Sequence, residues 1–208
     1  MSTSLYVGKL DNPSLVDPVA EFVRGNDTKP VSRGLASFFL SKKKAKHAAN
    51  EKLVTNWFGS EDPIASLNIL NLASVVLFLE HTAHLEGLSD SGDAITHSRW
   101  TNFPYWIDSI WLPIGGRPKV KVQDVEGTPT FLGSTSGLLA DLAEINALSP
   151  MKFNSVPPHY EMMRSDPVGF SSQETEAMEE PDVLRWVWLA LFDAATLANE
   201  HQVPVMSG

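Results

Sequence analysis

The chain has 208 residues, a length that fits one large domain. Hydrophobic residues make up 43% of it and charged residues 20%, which is the composition of a compact globular protein and not of a disordered one. The formal net charge of −9 excludes a generally basic nucleic-acid-binding protein, and the absence of cysteine excludes disulfides, thiolate metal sites and cysteine nucleophiles.

The amino-terminal residues predict one strand and one helix. Residues 4–7 are typical of a short edge strand. Asp17 followed by Pro18 is a typical helix start and Gly25 a typical helix end, so we expect a helix near 18–24.

The following segment predicts a loop, a strand and two helices. Residues 26–34 are rich in turn-forming side chains, and residues 35–40 predict a strand, with a helix as the alternative. Good helix formers fill 42–58. A second aspartate–proline pair opens an apolar stretch that we expect to form a central helix over 63–85, closed by Gly87.

The middle of the chain predicts strands. Residues 88–102 are polar and predict a long loop. Residues 105–112 are apolar on both faces, which predicts a strand covered on both sides. Residues 119–125 alternate, so we expect Val120 and Val122 to face inward and the lysines outward.

The carboxyl-terminal half predicts a hairpin and two helices. A glutamate–glycine turn leads into a strand over 129–132, and a helix follows over 138–147. Four prolines make 149–173 irregular. The last long helix is expected from Glu180 to about His201, before a terminal edge strand at 203–205.

This order of elements predicts an α+β fold in a single domain over 1–208. We expect a small antiparallel sheet of about four to five strands packed by three longer helices, as a single pair of layers. The apolar stretches 64–79 and 183–198 are broken by polar residues and do not meet the requirement for a membrane span. The amino terminus lacks a signal-peptide pattern, so we expect a cytoplasmic protein that does not bind membranes.

Two histidines at helical spacing offer one chemical interpretation. His81 and His84 share a helix face and could bind a divalent metal, with Asp93 and His97 completing the ligand set of a metal-dependent hydrolase. The alternative is that both histidines lie in the last turn, favoured there by the helix dipole, with Glu80 paired to His84.

A glycine-flanked hydroxyl cluster offers a second interpretation. Ser134, Thr135 and Ser136 lie between Gly133 and Gly137, at the predicted junction of a strand and a helix. Amides and hydroxyls at a helix start suit an anion, which predicts a sensor of small anions or nucleotides. The alternative is an ordinary helix N-cap.

A run of acidic residues over 174–182 offers a third interpretation, which is that the chain binds a basic protein. The acidic residues of this run are Glu174, Glu176, Glu179, Glu180 and Asp182. Dense negative charge steers a basic partner, although the same residues also match the dipole of the last helix. Four lysines over 42–46 are interpreted as a solvated helix face.

Six tryptophans supply candidate anchors for such an interface, and we select Trp100 and Trp106. The leading hypothesis is therefore a non-catalytic, inhibitory protein without a cofactor that binds a protein partner. Bacterial immunity and antitoxin proteins, which neutralise toxin or effector domains, share these traits, and the likeness is an analogy of type.

Overall fold

The computed structural model describes residues 2–25, 50–103, 108–124, 126–157, 160–163 and 178–208. The strands in these ranges are β1 (Ser2–Val7), β2 (Ala65–Asn71), β3 (Ser109–Leu112), β4 (Val120–Gln123), β5 (Pro129–Ser134) and β6 (Val205–Ser207). They form one sheet in the order β2-β1-β6-β3-β5-β4.

Seven helices accompany this sheet in the described ranges. They are α1 (Val16–Arg24), α2 (residues 50–56), α3 (Leu72–Glu86), α4 (Ser91–His97), α5 (Thr135–Leu148), α6 (Tyr160–Met163) and α7 (Glu180–His201), with a 3-10 turn at Pro13–Leu15 before α1. The helices near 18–24 and over 180–201 are confirmed. Gly87, with φ of 74°, ends α3 as predicted.

The α+β class is confirmed, but the sheet is larger and more mixed than predicted. It has six strands, and β3 pairs with β5 in parallel, while the other pairs are antiparallel. The parallel pair arises because the chain passes from β3 to the outer strand β4 and returns through a hairpin into β5. Gly127, with φ of 84°, lies in that hairpin turn.

Two strands predicted at the edge of the sheet lie inside it. β1 pairs with β2 on one side and β6 on the other, and β6 pairs with β1 and β3. The edge predictions for 4–7 and 203–205 were therefore wrong. Strand position in a sheet depends on pairing between distant segments, which local alternation does not encode.

The predicted helix over 63–85 is two elements, β2 and α3. The side chain of Asn71 accepts a hydrogen bond from the Ser74 amide at 3.0 Å and so caps α3 within the apolar run. Just before this cap, Leu70 has φ of 71° and its amide donates to Asn68 Oδ1 at 2.8 Å. A continuous apolar run does not distinguish a buried strand from a buried helix, which explains the error.

Other predicted elements are shorter than expected or fall outside the described ranges. The long loop over 88–102 contains α4, whose N-cap Asp90 accepts from the Asp93 amide at 2.9 Å. The loop over 26–34, the strand over 35–40 and residues 42–49 lie outside the described residues, as do most of 158–177.

The sheet buries a different hydrophobic cluster on each of its faces. Trp111 on β3 packs into the cluster formed with α3, α5 and α7. Its neighbours Ile110 and Leu112 point the opposite way, into a cluster with Val19 and Val23 of α1 and with α2. Strand β3 is therefore covered on both sides, as predicted, but helices lie on both faces and the single pair of layers was wrong.

Strand β4 lies at the edge of the sheet. Val120 is 40% exposed, so the expectation that it faces inward was wrong. Val122 is partly buried against the α1 cluster. Within the described ranges, none of the helices has the length and apolar character that a membrane span requires.

Candidate functional site

The two histidines of the predicted metal site have different surroundings. His81 Nε2 lies 3.2 Å from Ser149 Oγ, and the His81 ring packs edge-on against Phe153 with 5.6 Å between centroids. Burial lowers the pKa of His81, His84 adds to the lowering, and Glu180 opposes it. His81 is thus a half-buried, hydrogen-bonded residue of α3, whereas His84 is exposed.

The remaining predicted metal ligands lie on α4. Asp93 accepts a hydrogen bond from the Ser89 hydroxyl, which together with the Ser89 amide lowers the Asp93 pKa. His97 is exposed at the end of α4. Across the described ranges, no group of three or more histidine and acidic side chains is arranged to hold a metal ion. The hydrolase interpretation has no supporting geometry there.

The predicted anion site is built as a helix N-cap. Ser134 is fully buried, and its Oγ accepts from the amides of Gly137 and Arg117, both at 3.0 Å. Thr135 is also fully buried, and its hydroxyl lies 2.5 Å from Asn199 Oδ1. Ser136 is half-buried in the first turn of α5. Two of the three hydroxyls therefore serve the fold, as the N-cap alternative requires.

The two glycines of this motif leave room for Asn102. A Cβ at Gly137 would lie 2.2 Å from Asn102 Nδ2, and a Cβ at Gly133 would lie 3.0 Å from Asn102 Oδ1. Asn102 Oδ1 accepts from the Ser134 amide at 3.0 Å, and its carbonyl accepts from Trp111 Nε1 at 2.8 Å. The glycine spacing is thus explained by close packing of a buried amide.

Lys119 and Asp141, whose pKa values are both shifted, lie near Asn102. The backbone N–H of Asn102 donates to Asp141 Oδ2 at 2.7 Å. Burial raises the pKa of Asp141 to about 6, although the amides of Asn102 and Phe103 and the charge of Lys119 oppose the rise. The sequence did not reveal this pair because its members lie on different elements.

The amine of Lys119 lies against the sheet. Its Nζ is 4.5 Å from the ring centroid of Trp111 and donates to Ser109 Oγ at 3.2 Å. Burial of the amine lowers the Lys119 pKa well below its ordinary value, with Asp141 opposing. The expectation that the lysines of this strand face outward is therefore wrong for Lys119. These contacts tie Lys119, just before β4, to β3.

The described part of the predicted acidic run lies at the start of α7. Glu179 and Glu180 are exposed, and Asp182 is partly buried in a 2.9 Å ion pair with Arg185. Glu174 and Glu176 lie outside the described residues, as does Trp106. Trp100 is 1% exposed and packs in the core with Arg99 over its ring at 5.2 Å, so it offers no exposed surface to a partner and its selection as an anchor was wrong.

A second acidic surface, which the sequence did not reveal, lies on the α1 side of the sheet. Asp17 and Glu21 of α1 line a groove of about 540 Å³ against β4. Asp11, Glu61 and Asp62 line a concavity of about 410 Å³ near the start of the chain. We call these five carboxylates the α1-side acidic surface.

Contacts across a long separation in the chain bring together the residues of the second concavity. Leu10 forms a β-bridge with Phe58, and the Leu10 amide donates to the Trp57 carbonyl at 2.7 Å. The Gly59 amide donates back to the Leu10 carbonyl at 2.9 Å. Asp11 and Glu61 therefore become neighbours, although no local charge run marks them.

Carboxylates dominate the exterior of the described ranges. The exposed cationic side chains there are Arg24, Lys52, Arg99, Lys121 and Lys152. The exposed acidic side chains are Asp11, Asp17, Glu21, Glu51, Glu61, Asp62, Asp90, Asp108, Glu126, Glu144, Glu161, Glu179, Glu180 and Glu200. Such an excess favours positively charged partners.

Comparison with models of protein families, with curated proteins and with solved structures finds no match to this chain.

Proposed function

We propose that this chain is a non-catalytic protein that binds and neutralises a basic protein partner through the α1-side acidic surface. Immunity and antitoxin proteins are the class of this type, and the chain resembles them in charge and size class by analogy alone. The partner would be a toxin or effector domain with a positively charged face.

The observation that carries the proposal is that both concavities on the α1 side are lined by carboxylates. Asp17 and Glu21 line one, and Asp11, Glu61 and Asp62 line the other. Lys121 also lines the first concavity, and Lys9, paired with Glu61, lines the second, so each lining remains net negative. Net negative charge in a concave surface concentrates the field and raises association rates with a positively charged protein.

The test is binding to the products of the genes that flank this one. Each product is co-expressed with the chain, and the Kd of the purified complex is measured by calorimetry at increasing salt concentration. We expect one basic product to bind, to lose its own activity on binding, and to bind more weakly as salt screens the charges.

A control variant separates this surface from net charge in general. Glu126→Lys changes one exposed charge in the β4–β5 turn and should leave the Kd within about twofold, because a single rim charge contributes little. Asp17→Lys combined with Glu21→Lys should raise the Kd by about tenfold or more. The proposal is contradicted if no flanking product binds, or if a complex forms whose Kd is insensitive to salt.

A further inference from the structure

We propose that the groove between α1 and β4 receives an extended, lysine- or arginine-bearing segment of the partner, which adds to the sheet as a strand beside β4. This inference rests on the proposed function and specifies how its partner binds. It is carried by the edge position of β4, the hydrogen-bonding parity of that strand, and the chemistry of the groove.

Strand β4 has one neighbouring strand, β5, in the described part of the sheet. Its residues pair in order from Val120 opposite Leu132 to Gln123 opposite Pro129. The outer side of β4 is therefore an edge to which an extended chain can add.

The parity of the hairpin determines which backbone groups point outward. The Asp124 amide donates to the Thr128 carbonyl at 3.1 Å, so this pair is hydrogen-bonded across the two strands. Because hydrogen-bonded pairs alternate in an antiparallel ladder, Val120 and Val122 bond to β5, whereas Lys121 and Gln123 direct their N–H and C=O groups away from it.

The same edge already donates one strand-like hydrogen bond. The Lys119 amide, which has the same parity as Lys121, donates to the Thr101 carbonyl at 3.3 Å. An incoming segment would continue this line of bonds along Lys121 and Gln123. Four strand residues at about 3.3 Å each give a contact length of roughly 13 Å.

The side chains that line the groove determine which side chains a bound segment would carry. Val120, 40% exposed, and Phe22 supply apolar surface, while Asp17 and Glu21 supply negative charge. In a segment that alternates basic and apolar side chains, the basic side chains share one face of the added strand. With that face toward α1, their charged ends meet Asp17 and Glu21 while their aliphatic stems pack on Phe22 and Val120.

The nearby cations reduce this charge without cancelling it. Arg117 donates its guanidinium N–H groups to the carbonyls of Phe22 and Val23 at the end of α1, and its guanidinium carbon lies 5.8 Å from the ring centroid of Phe22. Lys121 lines the groove, but its amine lies 5.9 Å from the ring centroid of Phe131, and the lining has two carboxylates against this one amine. The groove therefore favours a basic segment over an acidic one.

The first experiment uses short capped peptides and amide NMR of the full chain. The probe is a peptide of alternating lysine and valine, and its matched control carries glutamate in place of lysine. We expect the lysine peptide to shift the amide signals of Lys121 and Gln123 and to slow their hydrogen exchange by about tenfold or more. The glutamate peptide should do neither.

Two substitutions at one position isolate the backbone contribution. Lys121→Pro removes the outward N–H without removing a bond to β5, because that N–H points away from the ladder. Lys121→Thr keeps the N–H and removes the cation. We expect Lys121→Pro to lose peptide binding and Lys121→Thr to retain it, with circular dichroism and thermal unfolding checking that both variants fold.

Three results would overturn the inference. These are unchanged binding by Lys121→Pro, equal binding of the glutamate peptide, and protection of the same amides by dimerisation of the chain, which would make a second copy the occupant. If the natural partner is lost on charge reversal at Asp17 and Glu21 but retained by Lys121→Pro, the groove inference fails while the proposed function stands. If no flanking product binds, the proposed function fails, and the peptide experiment still tests the groove.

Discussion

At the residue scale, Lys119 shows what side-chain alternation encodes and what it does not. Because side chains alternate along a strand, Lys119 and Lys121 are correctly predicted on one face and Val120 and Val122 on the other. The alternation does not indicate which face packs against the rest of the protein. Because α5 and the 101–103 loop cover the lysine face near the start of the strand, the amine of Lys119 is buried there and the exposed side chain is Val120.

Replacing Asp141 by asparagine should change how stability depends on pH. The pKa of Asp141 is about 6 in the folded chain and near 3.8 when unfolded, so the unfolded state releases this proton first. The free energy of unfolding should therefore fall as pH rises from about 4 to about 6. Asp141→Asn should flatten that fall, because the amide does not ionise while its oxygen still accepts from the Asn102 amide.

Urea unfolding at a series of pH values measures this effect. Glu126→Gln, in the exposed turn between β4 and β5, is the matched control and should keep the slope of the parent chain. An unchanged slope in Asp141→Asn would show that Asp141 does not titrate as its burial requires.

Replacing His81 by glutamine should change the pH dependence of stability in the opposite direction to Asp141→Asn. Burial lowers the pKa of folded His81 below 6.5, so the unfolded state takes up a proton first as pH falls. The histidine therefore reduces stability as pH falls through 6.5. His81→Gln should remove this loss, whereas the exposed His97→Gln should keep it. Equal pH profiles for the two variants, measured by thermal unfolding, would contradict the burial of His81.

At the scale of elements, the sequence predicts helices with strong boundary signals and misplaces buried strands. Helix α7 begins and ends close to the predicted limits. Pro181 lies in its first turn, and Gln202, in the left-handed conformation, follows its last turn. Strand β2 was predicted as helix because its burial does not alternate between residues. All of Leu67 to Leu70 is buried, and a run without alternation lacks the period of two that identifies a strand. The capping role of Asn71 was available in the sequence but lies inside an apolar run.

The junction of β5 and α5 is close-packed around Asn102, and Gly137→Ala tests this directly. The new Cβ would lie 2.2 Å from Asn102 Nδ2 and 2.7 Å from Ser134 Oγ. Because both neighbours are held by hydrogen bonds, we expect a loss of at least about 1–3 kcal/mol in the free energy of unfolding. Gly115→Ala is the control, since a Cβ there meets nothing within 4 Å, and it should change stability by less than about 0.5 kcal/mol.

Combining Gly137→Ala with Asn102→Ala gives a second readout of the same contact. Removing the Asn102 side chain relieves the clash, so the double variant should cost less than the sum of the two single variants. Additive costs in chemical unfolding would show that the two residues do not interact as the structure places them.

At the scale of the whole molecule, the sheet separates two acidic surfaces. Glu179 and Glu180 open α7, which packs on the Trp111 side of β3. The α1-side acidic surface lies on the side of Ile110 and Leu112. The net charge of −9 predicts an acidic exterior but not its location, because Asp11 and Glu61 line one concavity only through long-range pairing.

Charge reversal on the two sides of the sheet tests the proposed interface most directly. The Kd for the basic partner is measured as a function of salt for the parent chain, for Asp17→Lys with Glu21→Lys, and for Glu179→Lys with Glu180→Lys. We expect the α1 pair to raise the Kd by about tenfold or more and to reduce its salt dependence, while the α7 pair has a smaller effect on both. A large loss of affinity with the α7 pair and none with the α1 pair would overturn the proposed interface and place it at the acidic run before α7.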